Sequence, residues 1–140
     1  MKQATNKRVL PAQLTSHHFS AVLPLSDERK SLEADDLLSI LKSAVTESEL
    51  TVVADVTASF TPTGSTAVVV LAESHVAVHL WPELGLATVD IHVCDYSGDN
   101  ESKAKRLSQL LGKQLADDTA SSLWKQLTTS SVGKSGNVET

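Results

Sequence analysis

The chain has 140 residues, a formal net charge of −5 at pH 7 and an apolar fraction of 41%. That length suits one domain that can bury a core large enough to fold without disulfides or metals. An acidic chain lacks the basic surface that nucleic-acid binding needs. The longest apolar run, Ala67–Ala72, is far shorter than the roughly 20 residues of a membrane span. The composition therefore predicts a globular domain that binds neither nucleic acid nor membranes.

Cys94 is the only cysteine, so it cannot form a disulfide within the chain. Because nothing in the cysteine content indicates an oxidising compartment, we expect a cytoplasmic protein. The first 26 residues carry three basic residues and no acid, which leaves an organellar transit peptide as the alternative. We predict a single domain over residues 17–127, with a disordered extension over residues 1–16 and a flexible, Ser/Thr/Gly-rich tail over residues 128–140.

Apolar spacing along the chain predicts several strands and two main helices. The clearest helix has Leu37, Leu41 and Val45 on one face, and acids near its N-terminus suit the helix dipole. The strands follow from β-branched or alternating apolar runs. In chain order, the predicted elements are a strand over His18–Leu25, a helix over Ala34–Thr46, a strand over Leu50–Phe60, a turn at Thr61–Gly64, strands over Ala67–Ala72, Val76–Trp81 and Leu86–Cys94, a helix over Lys103–Leu115 and a further short helix within Ala120–Leu127.

This order of elements predicts an α+β fold. We expect a two-layer α/β sandwich with a mostly antiparallel sheet and helices on one face. Because Ala67–Ala72 is apolar throughout, we expect that strand to be buried on both faces or nearly so.

The strands on either side of Pro82–Gly85 form a predicted hairpin. If that segment is a four-residue turn, His75 lies opposite His92 and Glu73 lies opposite Cys94. The thiol then returns beside the peptide bond that follows Glu73.

Strand alternation puts His75, His79 and Trp81 on one face of their strand. Together with Ser74 and Cys94, the hairpin therefore gathers a serine, histidines and a thiol in one neighbourhood. Their side chains are typical of more than one chemistry.

Three chemistries could use this group. A metal site is one, although no CxxC or HExxH spacing supports it; its ligands would be His75, His79, His92 and Cys94. A hydrolase with Ser74 as nucleophile is another, but the sequence lacks GxSxG. The third is internal serinolysis, in which the Ser74 hydroxyl attacks the Glu73 carbonyl and the resulting ester eliminates to leave a pyruvoyl group.

The segment from Phe60 to Cys94, about a quarter of the chain, resembles the prokaryotic S-adenosylmethionine decarboxylases, pyruvoyl-dependent enzymes of polyamine biosynthesis. The family's Glu-Ser-His signature is matched at its centre, after a run of glycine, small hydroxyl and aliphatic residues. The matching segments are Gly64–Ala72, Glu73-Ser74-His75, His79-Leu-Trp-Pro-Glu83 and Asp90-Ile-His-Val-Cys94.

The resemblance implies that the proenzyme cuts itself between Glu73 and Ser74. The products are a β-chain of residues 1–73 and an α-chain of residues 74–140. Ser74 becomes the pyruvoyl cofactor, which forms a Schiff base with the substrate. The implied reaction is decarboxylation of S-adenosylmethionine to the aminopropyl donor for spermidine, catalysed by a homodimer of cleaved αβ protomers.

The resemblance also implies roles for other side chains. His79 matches the histidine implicated in processing, and Cys94 matches the proton donor of turnover. Phe60 and Trp81 match aromatic positions that sandwich adenine, and Glu83 matches an acid that accepts hydrogen bonds from ribose hydroxyls. No metal is implied.

Two residues depart from the family pattern, and two alternative functions stay open. Thr66 stands where the family usually has the serine that assists processing, and Asp95 stands where it usually has glycine. The alternatives are a pyruvoyl-dependent decarboxylase of a basic amino acid, ornithine or arginine, and a regulatory homologue that does not process itself. For Phe60 and Trp81, the alternative interpretation is that both are aromatic residues of the apolar core.

Overall fold

The computed structural model describes residues 13–95, 98–116 and 121–131. Six strands form one sheet and two helices accompany it. The elements are β1 (Thr15–Pro24), α1 (Ala34–Glu47), β2 (Val52–Ser59), β3 (Ser65–Leu71), β4 (Ser74–Trp81), β5 (Leu86–Asp95), α2 (Glu101–Ala116) and β6 (Trp124–Ser130), with single 3-10 turns at Asp27–Arg29 and Ser121–Leu123.

The strand order is β2-β3-β4-β5-β1-β6, and every neighbouring pair is antiparallel. Helix α1 contacts β2 and β3, and α2 contacts β1 and β5. The predicted α+β sandwich with an antiparallel sheet is therefore confirmed.

Helix α1 forms because its apolar residues recur at helical spacing. Leu37, Leu41 and Val45 are all buried against the sheet. In α2 the equivalent stripe is Leu107, Leu111 and Leu115. Burial of these stripes, worth about 1.5–3 kcal/mol for each large side chain, fixes both helices to the same face of the sheet.

Strand alternation divides the sheet into a buried face and an open face. The buried face of the central strands is aliphatic, and its side chains form the core with the helices: Val76, Val78, Leu80, Val89, Ile91 and Val93. On the opposite face, Val22, Val56 and Leu127 are 54%, 60% and 61% exposed. We call this second surface the open face; it carries the polar residues of interest.

Two predictions about the sheet are wrong. The strand at Ala67–Ala72 is buried on one face only, because the helices cover one side and Val70 on the open face is 42% exposed. Within the segment Ala120–Leu127, predicted as a further helical turn or two, the helical part among the described residues is only the 3-10 turn Ser121–Leu123, and the residues from Trp124 belong to β6, which pairs with the otherwise free edge of β1. A long-range pairing partner outweighs weak local propensity here.

The ordered sheet also reaches into both predicted terminal segments. Strand β1 begins at Thr15, and β6 extends through Thr128–Ser130. Residues 1–12 and 132–140, which make up the rest of those segments, lie outside the described residues. Among the described residues, no helix combines the length and apolar character needed to cross a membrane.

Candidate active site

The predicted hairpin register is confirmed pair by pair. His75 lies opposite His92, and the Cys94 N–H donates a 2.8 Å hydrogen bond to the carbonyl oxygen of Glu73. The reversal is tight because the N–H of Gly85 donates to the carbonyl oxygen of Pro82 at 3.0 Å, with φ of +67° at the glycine. Two strands joined by so short a connection have little freedom to slip in register.

The peptide bond between Glu73 and Ser74 lies at a strained point of the backbone. Ser74 has φ of +147°, a region that residues other than glycine rarely adopt. Such conformations cost about 1–3 kcal/mol and persist only where the surroundings impose them. The serine hydroxyl donates to the Cys94 sulfur at 3.4 Å.

The surroundings that impose this conformation centre on Glu73, whose side chain is buried. Its carboxylate accepts a hydrogen bond from the Thr51 N–H at 3.1 Å and another from the Thr51 hydroxyl at 3.2 Å. Hydrogen bonds to a charged group are worth about 1.5–3 kcal/mol each. Both hydrogen bonds anchor the residue that precedes the strained serine.

This geometry suits attack of a hydroxyl on the preceding carbonyl. The Cys94 N–H already donates to the Glu73 oxygen, which is the atom that becomes negative when the carbonyl is attacked. A donor placed in advance at such an oxygen stabilises the tetrahedral intermediate of acyl transfer. Cleavage at Ser74 would also release the strain of its backbone.

A row of three histidines crosses the open face beside this bond. The ring of His92 stacks on His18, with ring centroids 4.1 Å apart and planes at 12°, and meets His75 edge-on at 5.1 Å. Its Nε2 lies 3.6 Å from the Cys94 sulfur. Burial is the main cause that lowers the pKa of His92 below 6.5, and charge on His18 and then on His75 lowers it further.

A second cluster lies at the other end of β4. The Thr66 hydroxyl is 2.9 Å from Nδ1 of His79. The indole N–H of Trp81 donates to the Thr88 hydroxyl at 3.2 Å. Beside them is a cleft of about 260 Å³ whose lining includes Phe60, Gly64, Thr66, His79, Trp81 and Glu83.

Phe60 and Trp81 do not belong to the core. Phe60 is 56% exposed and Trp81 is 44% exposed, so neither ring is committed to packing within the domain. The alternative of two core aromatics is therefore wrong. Their rings are available to a ligand in the cleft.

The structure separates residues that the sequence placed in one neighbourhood. His79 is five residues along β4 from Ser74, which corresponds to about 16 Å at a rise of roughly 3.3 Å per residue. For Trp81 the same estimate gives about 23 Å. Within one chain, Ser74 and Cys94 form one group, and Thr66 and His79 form another.

The four residues weighed as zinc ligands, His75, His79, His92 and Cys94, do not come together as a metal site. Among the described residues, the only cluster of three possible ligands with suitably close atoms is His17, Asp95 and Asp99. Asp95 already pairs with His17 at 3.1 Å and accepts the Asn100 N–H at 2.7 Å. The aspartate that replaces the family's usual glycine therefore anchors the start of α2.

Sequence reasoning missed three contributors to the site. Thr51 precedes Glu73 by 22 positions, and no local pattern predicts their contact. The stack of His18 on His92 depends on the pairing of β1 with β5. The contact of Thr88 with Trp81 can be predicted only from the register of the hairpin.

The chain matches the family model described as S-adenosylmethionine decarboxylase over residues 24–120. It is 42% identical over 98 residues to the S-adenosylmethionine decarboxylase proenzyme of Aquifex aeolicus, covering 70% of each chain. To the proenzyme of Archaeoglobus fulgidus it is 36% identical over 100 residues, covering 71% of this chain and 87% of that one.

A solved structure supports the same relationship. The crystal structure of the adenosylmethionine decarboxylase from Aquifex aeolicus matches with a TM-score of 0.66 and 32% sequence identity, covering 84% of this chain and 89% of that one. Sequence and fold agree, and the chain belongs to the S-adenosylmethionine decarboxylase family.

Proposed function

We propose that this chain is a pyruvoyl-dependent decarboxylase of S-adenosylmethionine that makes its cofactor by cutting itself between Glu73 and Ser74. The observation that carries the proposal is the strained Ser74, with φ of +147°, beside a carbonyl that the Cys94 N–H already polarises at 2.8 Å. Strain at an otherwise ordered strand end is typical of a functional site. The implied product is the aminopropyl donor for spermidine biosynthesis.

The residues around Ser74 fit a pyruvoyl group at that position. The pyruvoyl group supplies an electron sink for the electron pair that carbon dioxide leaves behind. The Cys94 thiol lies 3.4 Å from the Ser74 hydroxyl oxygen, close to the atoms that would become the cofactor. In this position the thiol can deliver a proton to the substrate carbon that has lost its carboxylate.

The active enzyme, we infer, is a homodimer of cleaved αβ protomers in which each site draws on both copies. The distance of about 23 Å between Ser74 and Trp81, at roughly 3.3 Å per residue, exceeds the length of a nucleoside joined to a four-carbon amino acid. A two-fold axis across β4 would bring Ser74 of one protomer toward the His79 cluster of its partner. The exposed aliphatic side chains of the open face suit such a contact.

The cleft at the second cluster is the proposed nucleoside site. Phe60 and Trp81 offer exposed rings to adenine, and the bond from Trp81 to Thr88 fixes the indole. An aromatic face beside the sulfonium would add about 0.5–2 kcal/mol of cation–π attraction. Glu83 supplies the acceptor for ribose hydroxyls.

The contact between Thr66 and His79 supports processing by this chain. Its 2.9 Å length means that the hydroxyl and the histidine named by the family pattern are already in contact. The free thiol at the centre of the site favours a reducing compartment, and we place the protein in the cytoplasm.

Carbon dioxide release from carboxyl-labelled substrates tests the choice of substrate. We expect release from S-adenosylmethionine and none above background from ornithine or arginine. Trp81→Ala should raise KM more than it lowers kcat, because it removes a binding surface and no reacting group. Release from ornithine or arginine, with KM for S-adenosylmethionine insensitive to Trp81→Ala, would contradict the nucleoside site.

A further inference from the structure

The row of histidines on the open face lies outside the group of residues that the proposed reaction uses. His75, His92 and His18 are direct cross-strand neighbours on β4, β5 and β1, and His92 lies in the middle. Cys94 follows His92 by two residues on the same face of β5. Its sulfur is 3.6 Å from Nε2 of His92 and 3.4 Å from the Ser74 hydroxyl oxygen. The middle histidine therefore touches the proposed proton donor.

The neighbours of His92 oppose a positive charge on its ring. Burial, charge on His18 and charge on His75, in that order, lower its pKa below 6.5. The nearest acid on the same face of β5 is Asp90, which accepts a hydrogen bond from a serine hydroxyl of β1 at 2.7 Å. Farther out, β6 brings Lys125 opposite that same serine, which adds positive charge. Together, burial and the two histidines favour the uncharged form of the imidazole.

The charge on His92 would decide the form of the Cys94 thiol. An imidazolium beside a cysteine stabilises the thiolate, which is the basis of nucleophilic cysteines. A thiolate has no proton to give, whereas a thiol beside a neutral imidazole keeps its proton. A residue that must act as a proton donor therefore needs an uncharged histidine as its neighbour.

We infer that His92 is a positioning residue that keeps Cys94 in the thiol form, and that His18 and His75 act by holding the His92 ring uncharged. The need for a thiol rests on the proposed decarboxylase function. In turnover the S–H bond of Cys94 breaks and a C–H bond forms on the decarboxylated carbon. The sulfur keeps the electron pair, the Nε2–H of His92 donates a hydrogen bond to it, and a proton from water restores the thiol.

Alkylation of the purified protein tests this inference directly. Because Cys94 is the only cysteine in the sequence, the mass added by iodoacetamide reports on this thiol alone. The rate would be measured from about pH 5 to about pH 9 for the wild type and two variants. His18→Phe keeps a ring to stack on His92 but removes a side chain that can carry a positive charge, and His75→Gln removes the other such side chain at an exposed position.

Both variants should react faster than the wild type at mildly acidic pH. At about pH 6 the expected increase is on the order of tenfold, because an imidazolium commonly lowers the pKa of a neighbouring thiol by one unit or more. Adding His92→Phe to His18→Phe should abolish the increase, since the ring that carries the new charge is gone. The double variant separates this effect from a change in packing.

Two results would overturn the inference. One is an alkylation profile that is the same in His18→Phe, His75→Gln and the wild type. The other is an increase that persists in the double variant, which would indicate easier access to the thiol. The alkylation measurement needs no substrate, so it separates this inference from the proposed function. Normal turnover with unchanged alkylation would overturn only the role of His92. The expected alkylation pattern in an uncut chain would support that role and contradict the proposed function.

Discussion

Single side chains set the energetics around the bond between Glu73 and Ser74, the proposed cleavage point. The backbone of Ser74 stores about 1–3 kcal/mol of strain, and two hydrogen bonds from Thr51 anchor the buried carboxylate of the preceding Glu73. The same clamp would keep the end of the β-chain beside Cys94 after cleavage. In the proposed function, processing would use the second cluster, where Thr66 contacts His79.

Substitutions at Thr66 test the processing hydroxyl. Thr66→Val keeps the volume but removes the hydroxyl, and we expect cleavage to slow by about 10-fold to 100-fold, as loss of about 1.5–3 kcal/mol of transition-state stabilisation predicts. Thr66→Ser should cut at least as fast as the wild type, because serine retains the hydroxyl without a branched carbon. The measurement is a time course of the two fragments by electrophoresis after cell-free synthesis. Thr46→Val, on an exposed part of α1, is the control; equal rates for all four proteins would remove Thr66 from processing.

The pH dependence of stability should report on His92. Because its pKa is lowered below 6.5 in the folded state, the unfolded chain binds more protons as the pH falls. Its stabilising contribution is therefore present above pH 6.5 and is lost as the pH falls toward the lowered folded value. Urea unfolding at about pH 7, 6 and 5, at constant protein concentration, should show a smaller loss of stability in His92→Phe than in the wild type. Parallel curves for the two proteins would contradict this expectation.

At the scale of elements, local patterns predicted the hairpin well. The four residues Pro82–Gly85 fix the pairing of β4 with β5, so Cys94 could be placed opposite Glu73 from the sequence alone. Strand β6 could not be predicted in the same way, because its partner β1 is about a hundred positions away and no local pattern encodes such a pairing. The third member of the histidine row, His18, was missed for the same reason, since its contact with His92 needs the pairing of β1 with β5.

The end of α1 offers a test of element stability. Glu49 follows the helix with φ of +64°, and the next N–H, of Leu50, donates to the Val45 carbonyl at 3.1 Å. A left-handed residue at this position favours glycine. Glu49→Gly should therefore stabilise the protein by about 1 kcal/mol in urea unfolding. Ser43→Gly, at an exposed site inside α1, should instead destabilise it by about 0.5 kcal/mol, and destabilisation by both would contradict the assignment.

At the scale of the whole molecule, one chain presents two incomplete groups at opposite ends of β4. Ser74 and Cys94 lie at one end, and Thr66, His79 and the cleft lie at the other. In the proposed dimer a second copy would cover the open face, whose exposed aliphatic side chains include Val22, Val56, Val70 and Leu127. Two copies related by a two-fold axis would complete two sites.

Mixed dimers test this division. Chains with Ser74→Ala and chains with His79→Ala should each be inactive when produced alone. Produced together, they should regain up to about a quarter of wild-type activity, because random pairing puts one complete site in half of the dimers. Failure to regain any activity, with mixed dimers demonstrated by differential tags, would place the whole site within one chain.

The intact mass of the purified protein tests the central claim most directly. The account predicts two fragments, residues 1–73 and residues 74–140, with a pyruvoyl group in place of Ser74 at the start of the second, and a Ser74→Ala variant that stays whole. A wild-type protein that remains a single 14.9 kDa chain would contradict it.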